Sequence, residues 1–111
     1  MRIIELTKQD FLTKIANYET SPEEWKFLGD KPALIDFYAS WCGPCKMLGE
    51  VLLELEDLNI LKVNVDEHPE IAKEYGVMSI PTLIIFKEGQ EVNKNIGFIA
   101  KEEIERIYNE S

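Results

Sequence analysis

The sequence has few cysteine and histidine side chains, a shortage of positive charge and no long apolar run. Of its 111 residues, two are cysteine and one is histidine, and 12 basic residues are outnumbered by 21 acidic ones, giving a net charge of -9. Nucleic acids and anionic membranes both favour basic surfaces, so this balance argues against either as a partner. The longest apolar candidate, residues 83–86, is far shorter than the roughly 18 to 20 residues that span a bilayer. We therefore expect neither a nucleic-acid nor a membrane partner.

The amino-terminal residues do not have the pattern of a secretion signal. Residues 1–5 become charged before an apolar signal core could form. A cytoplasmic location follows as the expectation, and structural disulfides are rare in that compartment. The two cysteines are therefore expected to carry redox chemistry or a metal rather than to staple the fold.

Length and composition fit one globular domain over residues 1–111. Apolar residues make up 45% and charged residues 30% of the chain, which is ordinary for a globular protein. A chain of this size can bury a single core without metals or disulfides. We find no internal repeat, low-complexity tract or linker, and we expect the chain to act as a monomer.

Apolar spacing predicts the element order β-α-β-α-β-α-β-β-α. Helical spacing occurs at residues 11–16, followed by a short helical turn at 21–29 in the same connection, and at 48–58, 69–75 and 104–108. Strand patterns occur at 2–6, 33–39, 60–65, 82–86 and 92–98. The run 33–39 is almost wholly apolar, as in a central strand covered on both faces. Strand–helix–strand units predict parallel pairing, and the hairpin over 82–98 adds an antiparallel edge. The predicted class is α/β with a mixed sheet.

Cys42 and Cys45 lie between a predicted strand and a predicted helix. Free backbone N–H groups and the macrodipole at a helix start stabilise a thiolate, which can lower a cysteine pKa from about 8.5 to roughly 3.5–7.5. Cys42 is then the attacking thiol, and Cys45, one turn further in, is the resolving thiol. Pro44 suits the first helical turn, where its missing N–H costs little.

Half of a zinc site is the alternative interpretation of this cysteine pair. Structural zinc usually takes four ligands, and besides the two cysteines the chain offers only His68 as a histidine. His68 precedes Pro69 and is expected to lie at the start of a helix. We therefore expect no metal site.

The segment from Trp41 to Lys46, WCGPCK, resembles the active site of the thioredoxin family residue for residue. Residues 36–39 (DFYA) and 80–82 (IPT) also resemble that family, and the similarity extends from Phe11 to Tyr108 in the same order. It implies a thioredoxin fold, with a central mixed five-stranded sheet flanked by helices on both faces. It also implies a thiol–disulfide oxidoreductase that reduces protein disulfides through Cys42 and Cys45 and maintains cytoplasmic redox homeostasis.

The resemblance also implies the source of electrons. A flavin-containing thioredoxin reductase would pass electrons from NADPH to the Cys42–Cys45 disulfide, with no cofactor bound to this chain. The implied partners are this reductase and disulfide-containing proteins.

Three residues beyond the cysteines gain roles from the resemblance. Pro81 matches the family's cis-proline, which faces the cysteines and presents the backbone of Ile80 to a substrate, although only about 5–6% of X–Pro bonds are cis in general. Asp36 matches a buried acid that takes and returns a proton at Cys45, and Lys62 matches the lysine beside that acid. From the residue pattern alone, Asp36 is more often a solvated or hydrogen-bonded strand-end carboxylate, and Lys62 is equally consistent with a surface lysine.

An apolar rim around the cysteines is the expected contact surface for substrates. Several of its members could equally belong to the core. Gly97 is the most informative, because a missing side chain permits close approach of another backbone. The expected members are Trp41, Gly43, Pro44, Ile80, Pro81, Ile96, Gly97 and Phe98.

The sequence also departs from the family pattern. Glu50 replaces a proline that usually kinks the active-site helix. The segment 45–62 is several residues shorter than in familiar bacterial members of the family. Ala100 stands where a serine, a better capping residue, is common. These changes affect stability and partner fit rather than reaction type.

Two other functions remain open from the sequence. One is an oxidase or isomerase of an oxidising compartment, which the Gly43-Pro44 dipeptide argues against. The other is a binding subunit that uses the fold only as a scaffold.

Overall fold

The computed structural model describes residues 2–5, 33–55, 59–87 and 90–110. The strands are β1 Arg2–Glu5, β2 Ala33–Tyr38, β3 Asn59–Asn64, β4 Thr82–Lys87 and β5 Gln90–Ile96. The helices are α1 Gly43–Leu52, α2 Pro69–Glu74 and α3 Lys101–Glu110. The helical segments predicted at 11–16 and 21–29, and the tip of the predicted hairpin turn, lie outside the described residues.

The strands form one five-stranded sheet in the order β1-β3-β2-β4-β5. β3 runs parallel to both β1 and β2, whereas β4 runs antiparallel to β2 and to β5. The α/β class and the mixed sheet are therefore confirmed, and β2 holds the central position predicted for residues 33–39.

The predicted parallel pairing of every strand–helix–strand unit is wrong for β4. Thr82, at the start of β4, pairs with Phe37 near the end of β2. The intervening helix α2 has six residues. The chain re-enters the sheet at the end where β3 leaves it, since Asn64 at the end of β3 pairs with Tyr38 of β2. This reversal brings Ile80 and Pro81 to the carboxyl end of β2, where the segment leading to Cys42 begins.

Side chains of β2 alternate between two apolar layers, one on each face of the sheet. On one face they pack with α2, in a cluster that includes Ile35, Phe37, Ile71 and Ala72. On the other face they pack with α1 and α3, in a cluster that includes Leu34, Leu48, Leu52 and Ile104. Burying a leucine side chain of this kind contributes about 1.5–3 kcal/mol, so the two clusters fix α1 and α2 against the central strand.

The described helices are short and begin or end at residues suited to those positions. Pro44 lies in the first turn of α1, and Gly76 follows α2 with a φ of +68°, the left-handed conformation that favours glycine. α1 ends at Leu52, earlier than the apolar stripe predicts, and Leu55 is buried beyond the helix. Within the described ranges, no helix is both long and apolar enough to cross a membrane.

Candidate active site at the amino end of the first helix

Cys42 and Cys45 form a disulfide at the start of α1, with 5.2 Å between their Cα atoms. Cys42 is the N-cap residue of the helix, in an extended conformation. The backbone N–H of Cys45 donates a hydrogen bond to the Sγ atom of Cys42 at 3.2 Å. This N–H is one of the amide groups that a helix start leaves without an intrahelical acceptor, so the Cys42 sulfur lies where negative charge is stabilised.

Overall exposure does not distinguish the two cysteines, although Cys45 lies one turn further into the helix than Cys42. Cys42 is 5% exposed and Cys45 is 3% exposed. The difference is in what each sulfur-bearing residue faces. Both cysteines belong to one small buried cluster with Ala39, but of the two only Cys42 is among the described residues that line an open groove on the surface. Access from the groove therefore favours Cys42 as the residue that a partner meets.

The segment before β4 forms the other side of the cysteine site. The Ile80–Pro81 peptide bond is cis, as the resemblance implies, and Pro81 is buried. The partly buried side chain of Ile80 packs against the cluster that contains both cysteines. Ser79 is also held in place, because the hydroxyl of Thr82 donates a hydrogen bond to its carbonyl oxygen at 2.6 Å.

An open groove of about 640 Å³ runs between these two segments. Among the described residues that line it, none carries a charged side chain, although 30% of the chain is charged. Two of its members are strongly exposed, Trp41 at 70% and Met78 at 96%. The groove can therefore accept apolar side chains next to the disulfide. It is lined by Trp41, Cys42, Gly43, Pro44, Val65, Ala72, Val77, Met78, Ser79 and Ile80.

Sequence reasoning missed Asp66, which positions Trp41. The indole N–H of Trp41 donates a hydrogen bond to a carboxylate oxygen of Asp66 at 2.8 Å. The backbone N–H of Asp66 in turn donates to the side-chain oxygen of Asn64 at 2.9 Å, which fixes the turn after β3. An Asn-x-Asp pattern directly after a predicted strand is typical of such a turn, but nothing local pairs it with a tryptophan 25 residues away.

Asp36 and Lys62 lie beneath α1 on neighbouring strands. Asp36 is fully buried and pairs in register with Lys62. The ammonium group of Lys62 lies 4.6 Å from the centre of the Tyr38 ring, which is cation–π distance. A Cβ added at Gly49 of α1 would lie 3.6 Å from the same ammonium, so Lys62 extends under the helix that carries the cysteines. The structure thus brings both predicted residues below the active-site helix.

Gly97 lies beside Pro81, to which it is hydrogen-bonded through the backbone. The N–H of Gly97 donates to the carbonyl oxygen of Pro81 at 2.8 Å. Its φ is +95°, a conformation that residues with a Cβ rarely adopt, whereas a Cβ there would meet no atom within 4 Å. Glycine is therefore required at this position by the backbone conformation of the chain itself. The adjacent Ile96 and Phe98 are 65% and 46% exposed, and they extend the apolar surface on this side.

A Gly97→Ala substitution should destabilise the fold by about 1–2 kcal/mol, because the Cβ of alanine makes a backbone conformation with positive φ unfavourable. Gly43→Ala is the matched control, since a Cβ at Gly43 also meets no atom within 4 Å but no positive φ is involved. Urea denaturation of both variants measures the difference. Equal stabilities for the two variants would contradict this account of Gly97.

The fold and the site together define the class of protein. A cysteine pair at a helix start, bonded as a disulfide and opposed by a cis-proline segment on an α/β sheet, is the arrangement of thiol–disulfide oxidoreductases. The family model described as Thioredoxin matches residues 2–110. The chain belongs to the thioredoxin family, and Cys42 and Cys45 are its redox-active pair.

Comparison with curated relatives agrees with this assignment. The chain is 45% identical to a thioredoxin of Staphylococcus epidermidis, over 96% of this chain and 95% of the relative. It is 38% identical to a thioredoxin of Borreliella burgdorferi over 94% and 92% of the two chains. It is 50% identical to a thioredoxin of Alicyclobacillus acidocaldarius over 69% of this chain and 78% of the relative. The similarity to full-length relatives supports dithiol–disulfide exchange as the reaction.

Proposed function

We propose that this protein reduces disulfides of partner proteins in the cytoplasm and is itself reduced by a thioredoxin reductase that uses NADPH and flavin. The observation that carries the proposal is the Cys42–Cys45 disulfide at the start of α1, where Cys42 opens onto an uncharged groove. A scaffold protein would need neither the reactive pair nor its access to the groove. In this proposal the chain binds no cofactor, acts as a monomer over residues 1–111, and maintains cytoplasmic redox homeostasis.

The first step is attack by the thiolate of Cys42 on one sulfur of a substrate disulfide. A bond forms between Cys42 and that sulfur, and the second substrate sulfur leaves as a thiolate that takes up a proton. The hydrogen bond from the Cys45 N–H to the Cys42 sulfur, at 3.2 Å, supports this assignment, because it stabilises negative charge on Cys42.

The groove is proposed to hold an extended segment of the substrate beside the mixed disulfide. Ile80, fixed ahead of cis-Pro81, presents its backbone to that segment. Trp41, Gly43 and Pro44 form the opposite wall, and their lining of the groove supports this role. Gly97 extends the contact on the Pro81 side, since its N–H is bonded to the carbonyl oxygen of Pro81.

The second step is release of the substrate by Cys45. Asp36 accepts the thiol proton of Cys45, because only the thiolate form of a cysteine is nucleophilic, and the resulting thiolate attacks the Cys42 sulfur. The substrate leaves with both sulfurs reduced, and the Cys42–Cys45 disulfide is restored. Full burial of Asp36 below α1 supports this role, and Lys62, its register partner, is proposed to moderate the charge of the ionised acid.

The test follows electrons from NADPH to a protein substrate. We expect the protein, with a bacterial thioredoxin reductase and NADPH, to precipitate insulin by reducing its interchain disulfides while NADPH absorbance falls. Dithiothreitol replaces the reductase in a parallel reaction. Activity with dithiothreitol but no NADPH consumption would reject the reductase as partner, and inactivity in both reactions would reject the function.

The Trp41–Asp66 hydrogen bond gives a prediction for substrate binding. Asp66→Ala should raise the KM for insulin about fivefold, since losing one hydrogen bond of about 1 kcal/mol frees the indole from its position. Asp66→Asn keeps an oxygen acceptor for the indole N–H and should remain within about twofold of the parent. Steady-state kinetics with the dithiothreitol-coupled assay measure both variants. If Asp66→Ala and Asp66→Asn raise KM equally, the hydrogen bond does not position Trp41.

A further inference from the structure

Met78 is the most exposed large apolar residue of the described chain, and it lines the groove beside the active cysteines. Its side chain is 96% exposed, compared with 70% for Trp41 on the opposite wall. A thioether in this position is open to solvent and to any small oxidant that reaches the groove. Met47 provides an internal comparison, because it is 57% exposed on α1 and is not among the lining residues.

We propose that Met78 is a site of reversible oxidation by hydroperoxides, and that its oxidation weakens the binding of protein substrates in the groove. In the reaction, the sulfur lone pair of Met78 attacks the terminal oxygen of hydrogen peroxide and the O–O bond breaks. Sulfur gains one oxygen atom and loses two electrons, and the peroxide is reduced to water. The inference rests on the proposed function, since it concerns the substrates that the groove accepts.

The effect on binding follows from the character of the groove. No described lining residue is charged, so the groove offers apolar contacts to its occupant. A sulfoxide is strongly polar and accepts hydrogen bonds from water, and burying it against an apolar partner carries a desolvation cost. Oxidation of Met78 therefore removes an apolar contact and replaces it with a group that resists burial.

The disulfide chemistry itself is unaffected by this change. Met78 follows α2 on the wall of the groove opposite the start of α1, and the hydrogen bond to the Cys42 sulfur comes from Cys45. A small disulfide that does not occupy the groove should be reduced at the same rate before and after oxidation. The expected signature is a change in KM for proteins with an unchanged kcat.

The experiment treats the disulfide form of the protein with hydrogen peroxide, so that both cysteine sulfurs are already bonded. Peptide mass spectrometry then follows the sulfoxide at Met78 and Met47, and we expect Met78 to be oxidised about twofold faster, in line with its greater exposure. The oxidised protein should show about a tenfold higher KM for insulin, with unchanged reduction of a small aromatic disulfide. Treatment with methionine sulfoxide reductases should restore the original KM.

Three variants assign the effect to one residue. In Met78→Leu, the KM should be the same before and after peroxide treatment, whereas Met47→Leu should respond to peroxide like the parent protein. Met78→Gln, which introduces a polar side chain of similar length, should raise the KM without peroxide. An unchanged KM after full oxidation of Met78, or preferential oxidation of Met47, would overturn the inference. Loss of activity on insulin and on the small disulfide before any treatment would instead reject the proposed function.

Discussion

A Cys42→Ser variant is expected to lose all reduction of insulin disulfides, because its hydroxyl cannot form the mixed disulfide that begins the reaction. The remaining thiol, Cys45, is packed beneath the groove and does not line it. The dithiothreitol-coupled turbidity assay measures the loss against the rate with dithiothreitol alone. Turbidity above that background in Cys42→Ser would show that Cys45 can attack substrates.

Cys45→Ser is the matched variant, and its expected outcome is different. Cys42 still attacks the substrate, but no second thiol is present to release it, so a covalent complex accumulates. Non-reducing electrophoresis and mass spectrometry of the product should identify an adduct linked through Cys42, which dithiothreitol cleaves by reducing the mixed disulfide. If the trapped adduct forms with Cys42→Ser rather than with Cys45→Ser, the order of attack is reversed.

Asp36→Ala is expected to raise the free energy of unfolding near neutral pH and to slow substrate release. Asp36 is fully buried in the central strand, and burial penalises the charged form of a carboxyl group. Ionised Asp36 is therefore expected to cost free energy in the folded protein that it does not cost in the unfolded chain, where such a carboxyl ionises at about pH 3.9. Release should slow by about 10²-fold or more, since the base that deprotonates Cys45 is gone.

The size of the stability change depends on pH. Below the unfolded pKa both states hold the proton, so the wild-type chain carries no penalty there. The penalty grows as pH rises above the pKa of the unfolded carboxyl, because the unfolded chain then loses the proton freely whereas the buried group does not. The gain from Asp36→Ala should therefore be largest near pH 7 and should shrink toward pH 4.

Urea denaturation from pH 4 to pH 7, with stopped-flow release rates, measures both effects of the Asp36 substitution. Asp36→Asn separates charge from volume, since it removes the charge but keeps the size of the side chain. Ile35→Val is the control, because this buried neighbour does not titrate and its cost of about 0.5–1.5 kcal/mol should not vary with pH. A pH-independent difference for Asp36→Ala, together with unchanged release rates, would remove Asp36 from the mechanism.

Most of the described fold was predictable, because its elements have strong local patterns. The continuous apolar run at residues 33–39 predicts the central strand. In β3, apolar residues alternate with polar ones, and Leu61 and Val63 on its apolar face belong to the cluster that packs with α2. The cysteine pair was predictable at a helix start, and Gly76 at a helix end. Each of these features depends on residues close together in sequence.

The features that could not be predicted depend on contacts between distant segments. The direction of β4 depends on its pairing with β2, a segment distant in sequence, and apolar spacing does not reveal that pairing. The Trp41–Asp66 hydrogen bond and the position of the Lys62 ammonium over Tyr38 are side-chain geometries of the folded chain. The near-complete exposure of Met78 is likewise invisible in a sequence, where a methionine between Val77 and Ser79 resembles a core residue.

The reversed direction of β4 also governs the order in which a newly made chain acquires its properties. The cysteines are three residues apart, so a chain that has been synthesised only as far as α1 already holds both sulfurs. Ile80 and Pro81 are added much later and reach the cysteines only when β4 pairs with β2. Until then the nascent chain holds both sulfurs without the Ile80 side of the groove. The two sides of the site are therefore synthesised at different times, and long-range strand pairing is the event that joins them.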